Sequence, residues 1–195
     1  SFTYEVEPPL DVLEVRNADI SVGEGSERKT LMQEIEFAVR RGEKLGIIGA
    51  NGIGKSTLLK EILGILPHNG IMRFNKNIKL GYFDQESTNL NPLNTVIDEL
   101  HDRFPAMLDG EIRNILGQVR ITGEDVFKPI SALSGGERAR VCFALLMLEH
   151  ANVMLLDEPT NHLDAETVAW LERHLQSYPG TIIAITHDRY FLDNV

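Results

Sequence analysis

Apolar residues recur along this chain with a period of two in some stretches and near 3.6 in others, and the switches between them set out its elements. Val12-Leu13-Glu14-Val15 and Ile35-Glu36-Phe37-Ala38-Val39 alternate and predict two strands, the second ending in the turn Arg40-Arg41-Gly42. Leu45-Gly46-Ile47-Ile48 is a continuous apolar run that suits a strand buried on both faces, and Thr57–Leu63 after it has helical spacing. Pro67-His68-Asn69-Gly70 ends that helix, and Gly70–Phe74 and Ile78–Phe83 predict further strands. From Asn89 to Lys128 the pattern turns helical, about Thr95–Phe104 and Asp109–Val119, with Pro105 between. Helix Gly135–Glu149, strand Val153–Leu156, helix Ala165–Leu175 and strand Thr181–Ile185 then alternate. That alternation is the mark of an α/β fold with a mainly parallel core sheet. The two early strands predict an antiparallel β flap beside it. Residues 1–10, extended by Pro8-Pro9, read as a linker. Residues 11–88 and 132–195 read as the α/β core, and 89–131 as an inserted helical subdomain.

Composition narrows the picture. A chain of 195 residues with 43% hydrophobic content is long enough to bury a real core. A net charge of −10 argues against broad electrostatic binding of nucleic acid by this segment. The single cysteine, Cys142, excludes an internal disulfide and sits in an apolar helical pattern, so core packing in a reducing compartment is its expected role. No apolar run reaches membrane-spanning length and the first residues do not read as a secretion signal, so a cytoplasmic protein is expected.

Three segments carry candidate chemistry. Gly49-Ala50-Asn51-Gly52-Ile53-Gly54-Lys55-Ser56 stands between a strand and a helix that opens at Thr57, which is the context of a phosphate-binding loop. Its glycines let several backbone N–H groups turn inward, and the helix start adds positive charge. Lys55 supplies a full charge for the β and γ phosphates of a nucleoside triphosphate, and the Ser56 hydroxyl suits Mg²⁺. Val153–Leu156 ends abruptly in Asp157-Glu158, at the strand edge where ligands of open α/β sheets collect. There Asp157 is expected to assist Mg²⁺ and Glu158 to activate the water that attacks the γ phosphate. The strand Thr181–Ile185 brings His187 to the same rim, as a partner of Glu158 and of the γ phosphate. Ser134-Gly135-Gly136-Glu137 reads as a capping box and also as a helix start open to a second phosphate.

Gly49–Ser56, Leu133–Glu137 and Leu155–Glu158, with Gln85 between the first two and His187 after, resemble the ATP-binding cassette family of P-loop NTPases. The resemblance implies two cassettes clamping two ATP molecules head to tail, each phosphate loop facing the partner's Ser134-Gly135-Gly136 segment. It also implies that Gln85 joins the Mg²⁺ and water network and that Asp164 reaches across the seam. The residues' own reading of Asp164 is the N-cap of the helix at Ala165. Tyr82-Phe83-Asp84-Gln85, Glu158–Asp164 and His187–Leu192 look like the ABC-F branch, soluble proteins with two cassettes on one chain, many acting on ribosomes. Residues from about Asn161 to Val195 are similar to the first cassette of energy-dependent translational throttle proteins, whereas Phe2 to Val12 look more like the run-in to a second cassette. The resemblance therefore implies a second cassette, in cis or as a homodimer, ribosome or RNA contact through regions outside this chain, and no membrane partner. The family's adenine-stacking aromatic has Val22 at its place, so looser choice between ATP and GTP is expected. The chain stops soon after His187, which reads as a fragment. A transporter's nucleotide-binding subunit and an ATP-dependent switch with little turnover are the alternative functions.

Overall fold

The computed structural model describes residues 11–49, 54–84 and 89–195. Strands β1 (Asp11–Val22), β2 (Lys29–Arg40), β3 (Lys44–Ile48), β4 (Ile71–Phe74), β5 (Leu80–Asp84), β6 (Val153–Asp157) and β7 (Thr181–Thr186) form two sheets. The antiparallel flap has β1 at its centre, with Leu13 opposite Val39 of β2 on one side and Phe74 of β4 on the other. β1 runs seven residues past the predicted Val15. The polar pair Arg16-Asn17 breaks the alternation, but a register shift between Val15 and Ala18, with Asn17 at φ 48°, absorbs it and pairing resumes.

The second sheet has the order β3-β7-β6-β5, all neighbours parallel. Every residue of β6 and β7 is buried, as continuous apolar strands in the middle of a covered sheet must be. Alternate residues feed two cores. Val153, Leu155, Ile183 and Ile185 pack with the flap and with α1 (Lys55–Ile62), whereas Met154, Leu156, Ile182 and Ala184 pack with the remaining helices. β3 departs from the expected burial on both faces. It is the edge strand, none of its residues is fully buried, and Ile48 is 44% exposed.

Helices α2 (Val96–Arg103), α3 (Asp109–Gln118), α4 (Gly135–Leu148) and α5 (Ala165–Ser177) cover the other face. The inserted pair, α2 and α3, shares one continuous core with α4, α5 and the sheet, through Leu100, Ile112, Leu116, Phe143 and Leu171. Phe83 of β5 stacks on Phe143 at 4.7 Å, and Phe143 meets the edge of Trp170 at 5.9 Å. Trp170 donates its indole N–H to the Gln118 carbonyl at 3.3 Å, tying α5 to the end of α3. α4 is buried on several sides because it lies between the sheet and the inserted helices. A short α6 (Arg189–Asp193), not predicted above, is capped by Asp188 and buries Phe191 completely. Among the described residues no helix is long and apolar enough to cross a membrane.

Candidate functional site

Because β3, β6 and β7 run parallel, their carboxyl ends open on one edge, and the residues after each strand meet there. Gly54 caps α1 at φ 97°, a left-handed conformation that suits glycine, and a methyl group here would lie 3.0 Å from both Ile20 and Leu31 of the flap. Side-chain oxygens of Thr95, Ser134, Asp164 and Asp188 cap α2, α4, α5 and α6, but no side chain caps α1. The start of α1 therefore keeps its partial positive charge without a side-chain cap.

Lys55 is the first residue of α1 and only 7% exposed. Its ammonium donates to the Gly49 carbonyl at 2.5 Å and to Glu158 Oε1 at 3.2 Å. The other Glu158 oxygen faces His187, accepting from its backbone N–H at 3.3 Å and lying 3.0 Å from Nδ1. An ionised carboxylate only accepts, so Nδ1 carries the proton in that contact. Glu158 itself sits at φ 45° and donates its N–H to the Ile185 carbonyl at 2.8 Å. Side-chain residues rarely adopt that conformation, and here the two strand ends hold it.

Ser56 donates to Asp157 Oδ1 at 3.4 Å. Asp157 is 9% exposed, and burial, with the charge of Asp84 next, raises its carboxyl above the ordinary range. Burial, followed by the charges of Asp157 and Asp84, pushes the Tyr82 phenol well above the usual value. A pocket of ≈ 190 Å³ lies among Ser56, Lys60, Asp84, Asp157, Glu158 and His162. Hydroxyl and carboxylate oxygens are the donor set a hard divalent cation takes, and Asp157, crowded by Asp84, is the carboxylate such an ion favours. The residues present therefore fit Mg²⁺. A larger cavity of ≈ 400 Å³ opens at the amino ends of β6 and β7, beside Val153, Thr181 and Arg41, but no carboxylate lines it.

The structure thus joins Gly49, Gly54, Lys55, Ser56, Asp157, Glu158 and His187, with Thr57 continuing α1. Ala50, Asn51, Gly52, Ile53 and Gln85 lie outside the described residues. Ser134 forms the expected capping box, accepting from the Glu137 N–H while Glu137 accepts from the Ser134 N–H, each at 3.1 Å. Asp164 accepts from the Thr167 N–H at 2.7 Å, which holds its carboxyl below the usual range. Gly136 lies where α4 meets the start of α5, since a methyl group on it would reach Thr167 Oγ1 at 2.4 Å and Asp164 Oδ2 at 3.1 Å. Ser134, Gly135 and Asp164 are exposed and touch none of the Lys55 cluster. Lys60 and Asp84 were missed as pocket residues. Lys60 stands one helical turn beyond Ser56, and Asp84 is the register partner of Asp157, which only the strand order reveals.

Comparison with known proteins shows the family and the fold. Residues 32–161 match the ABC transporter family. The chain is 44% identical to the ATP-binding protein YdiF of Bacillus subtilis over 186 residues, which is 95% of this chain and 28% of YdiF. It is 37% identical to the energy-dependent translational throttle protein EttA of Mycobacterium tuberculosis over 187 residues, 93% of this chain and 33% of EttA. The chain thus spans about a third or less of these curated relatives. Among solved structures, the dimeric MJ0796, a bacterial ABC transporter cassette, superposes with a TM-score of 0.76 at 21% identity, covering 93% of this chain and 90% of that one.

Proposed function

The chain belongs to the ABC transporter family, with relatives in its ABC-F branch, and from that premise we propose that it is an ATPase cassette that binds MgATP, pairs with a second cassette and hydrolyses ATP to reopen. One observation carries the reading: the Glu158 carboxylate is held between the Lys55 ammonium at 3.2 Å and the His187 imidazole at 3.0 Å, beside the start of α1.

Lys55 and the first-turn N–H groups of α1 bind the β and γ phosphates. Ser56 and Asp157, with Gln85, would hold Mg²⁺, which would supply charge neutralisation on the phosphate oxygens. Glu158 orients the attacking water and takes its proton as the water oxygen bonds to the γ phosphorus and the bond to ADP breaks. His187 keeps the Glu158 carboxylate aimed through its backbone N–H and ring nitrogen. The terminal phosphate competes with Glu158 for Lys55, so binding loosens the Lys55–Glu158 pair and releases an oxygen of the base toward water.

The exposed Ser134-Gly135 turn and Asp164, packed together through Gly136, form the surface that meets the second cassette's nucleotide, head to tail, in cis or in a homodimer. The dimeric state of the MJ0796 cassette supports this pairing. The name of EttA supports a role in translation, which this reading sets at the ribosome in the cytoplasm. Val22, at the flap end, offers less stacking surface than an aromatic, so GTP is accepted along with ATP.

The test is phosphate release from ATP with and without Mg²⁺, alongside titration of a fluorescent ATP. Lys55→Ala is expected to weaken nucleotide binding at least about tenfold, since a hydrogen bond to a charged group contributes roughly 1.5–3 kcal/mol. Hydrolysis that persists at the parent rate in Lys55→Ala, or without a divalent cation, overturns the reading.

A further inference from the structure

The cavity of ≈ 400 Å³ at the amino ends of β6 and β7 takes no part in the nucleotide site, from which a strand length, roughly 15 Å, separates it. Flap and core sheet both line it. Val12 comes from β1, Asn75–Ile78 from the turn after β4, Arg41 from the turn before β3, and Tyr178–Gly180 from the turn before β7. The volume falls in the range of small-molecule sites. The floor is apolar, built from Val12, Ile78, Ala151, Val153, Pro179 and the Tyr178 ring.

The polar groups of the wall satisfy one another. Tyr178 donates its hydroxyl to the Ala151 carbonyl at 2.6 Å, and Thr181 Oγ1 accepts from the Gly42 N–H at 3.0 Å. The Asn152 side chain donates to the Asn77 carbonyl at 3.0 Å and accepts from the Lys79 N–H at 2.8 Å. Gly180 lets these walls close, since a methyl group on it would strike the Tyr178 hydroxyl and the Asn152 carbonyl. Arg41 and Lys76 are the exceptions: both are exposed, and neither side chain has a hydrogen bond or ion pair among the described residues. One exposed cation without a partner means little. Two at the mouth of a preformed apolar cavity, in a chain of net charge −10, set the charge of what enters it.

We infer that this cavity binds a small organic anion, its apolar body against Val12 and Val153 and its charge met by Arg41 and Lys76. The inference stands apart from the nucleotide reading, because the two sites lie at opposite edges of the sheet. An occupant here touches both sheets and holds the flap to the core.

2-Naphthoate is the probe, read by the amide chemical shifts of the isotope-labelled chain, with neutral 2-naphthamide as its control. Saturable shifts are expected at Gly42, Asn77, Asn152 and Gly180, with a Kd of about 1 mM for a probe of this size. The amide is expected to bind at least about threefold more weakly, and Arg41→Gln combined with Lys76→Gln to weaken 2-naphthoate about threefold to tenfold, as exposed charge pairs do. Exchanging the cations, Arg41→Lys with Lys76→Arg, is expected to keep the affinity, which a merely structural role does not predict. Lys55→Ala is expected to leave it unchanged. The two probes are compared on the parent chain, so a variant that fails to fold does not shield the inference. Equal affinity for 2-naphthoate and 2-naphthamide, no saturable shift at these amides, or loss of binding in Lys55→Ala overturns it and leaves the nucleotide reading standing.

Discussion

Gly136 offers the sharpest structural prediction, because the structure gives this glycine a packing reason as well as a place beside a nucleotide. An alanine methyl here lands 2.4 Å from Thr167 Oγ1, 3.1 Å from Asp164 Oδ2 and 3.3 Å from Thr167 Cβ. Thr167 is 3% exposed and its backbone N–H is held by Asp164, so neither group can swing away without opening the start of α5. Overpacking of this kind costs about 1–3 kcal/mol, and the better helix propensity of alanine returns at most about 1 kcal/mol. The net loss is about 1–2 kcal/mol, a fall in Tm of roughly 2–8 °C for a domain of this size. Gly117 is the internal control. It lies in α3, exposed, with nothing within 4 Å of its missing methyl, so Gly117→Ala is expected to gain about 0.5–1 kcal/mol from propensity alone. Thermal and urea unfolding read both variants. The reasoning fails if Gly136→Ala melts within a degree of the parent, or if Gly117→Ala melts lower.

Two further predictions use groups away from the site. His174 stacks on Trp170 at 5.1 Å, its buried Nε2 has no hydrogen-bond partner among the described residues, and burial lowers its pKa. The unfolded chain therefore takes the proton first: the neutral ring stabilises the fold fully above the unfolded value of about 6.5, and that contribution is lost as pH falls through it toward the folded value. His174→Phe is expected to flatten this fall in stability below pH 6.5, and an identical profile in parent and variant refutes the assignment. Burial pushes the Cys142 thiol up to about 12, so at pH 8 it is expected to react with a disulfide reagent at least about a hundredfold more slowly in the native protein than in urea. Equal rates contradict the packing described.

Much of the fold is legible from periodicity, because burial imposes it. The apolar runs of β6 and β7 report strands covered on both faces, and that is where they lie. The run Leu45–Ile48 looks the same in the sequence yet forms an edge strand, since composition tells of a strand but not of its rank in the sheet. The rank also hid Asp84. Only the order β7-β6-β5 and its register bring Asp84 beside Asp157, and neither is encoded by local pattern. The meeting of Lys55 and Ser56 with Asp157 and Glu158 was legible because its signals are local: a lysine and a hydroxyl opening a helix, and acids after an apolar strand. α6 was hidden by its five residues, too few to show a period. The packing of Gly136 against Thr167 joins two distant segments, and only the assembled helices disclose it.

The central claim is that the Glu158 carboxylate, anchored by Lys55 and His187, prepares the water that attacks the terminal phosphate. Single-turnover hydrolysis of ATP by Glu158→Gln tests it most directly, with nucleotide affinity measured on the same sample. The amide keeps an acceptor for Lys55 but cannot take a proton, so the rate is expected to fall by about 10²–10⁴ while ATP binds as tightly as before or tighter. A Glu158→Gln protein that binds ATP and hydrolyses it at the parent rate contradicts the account.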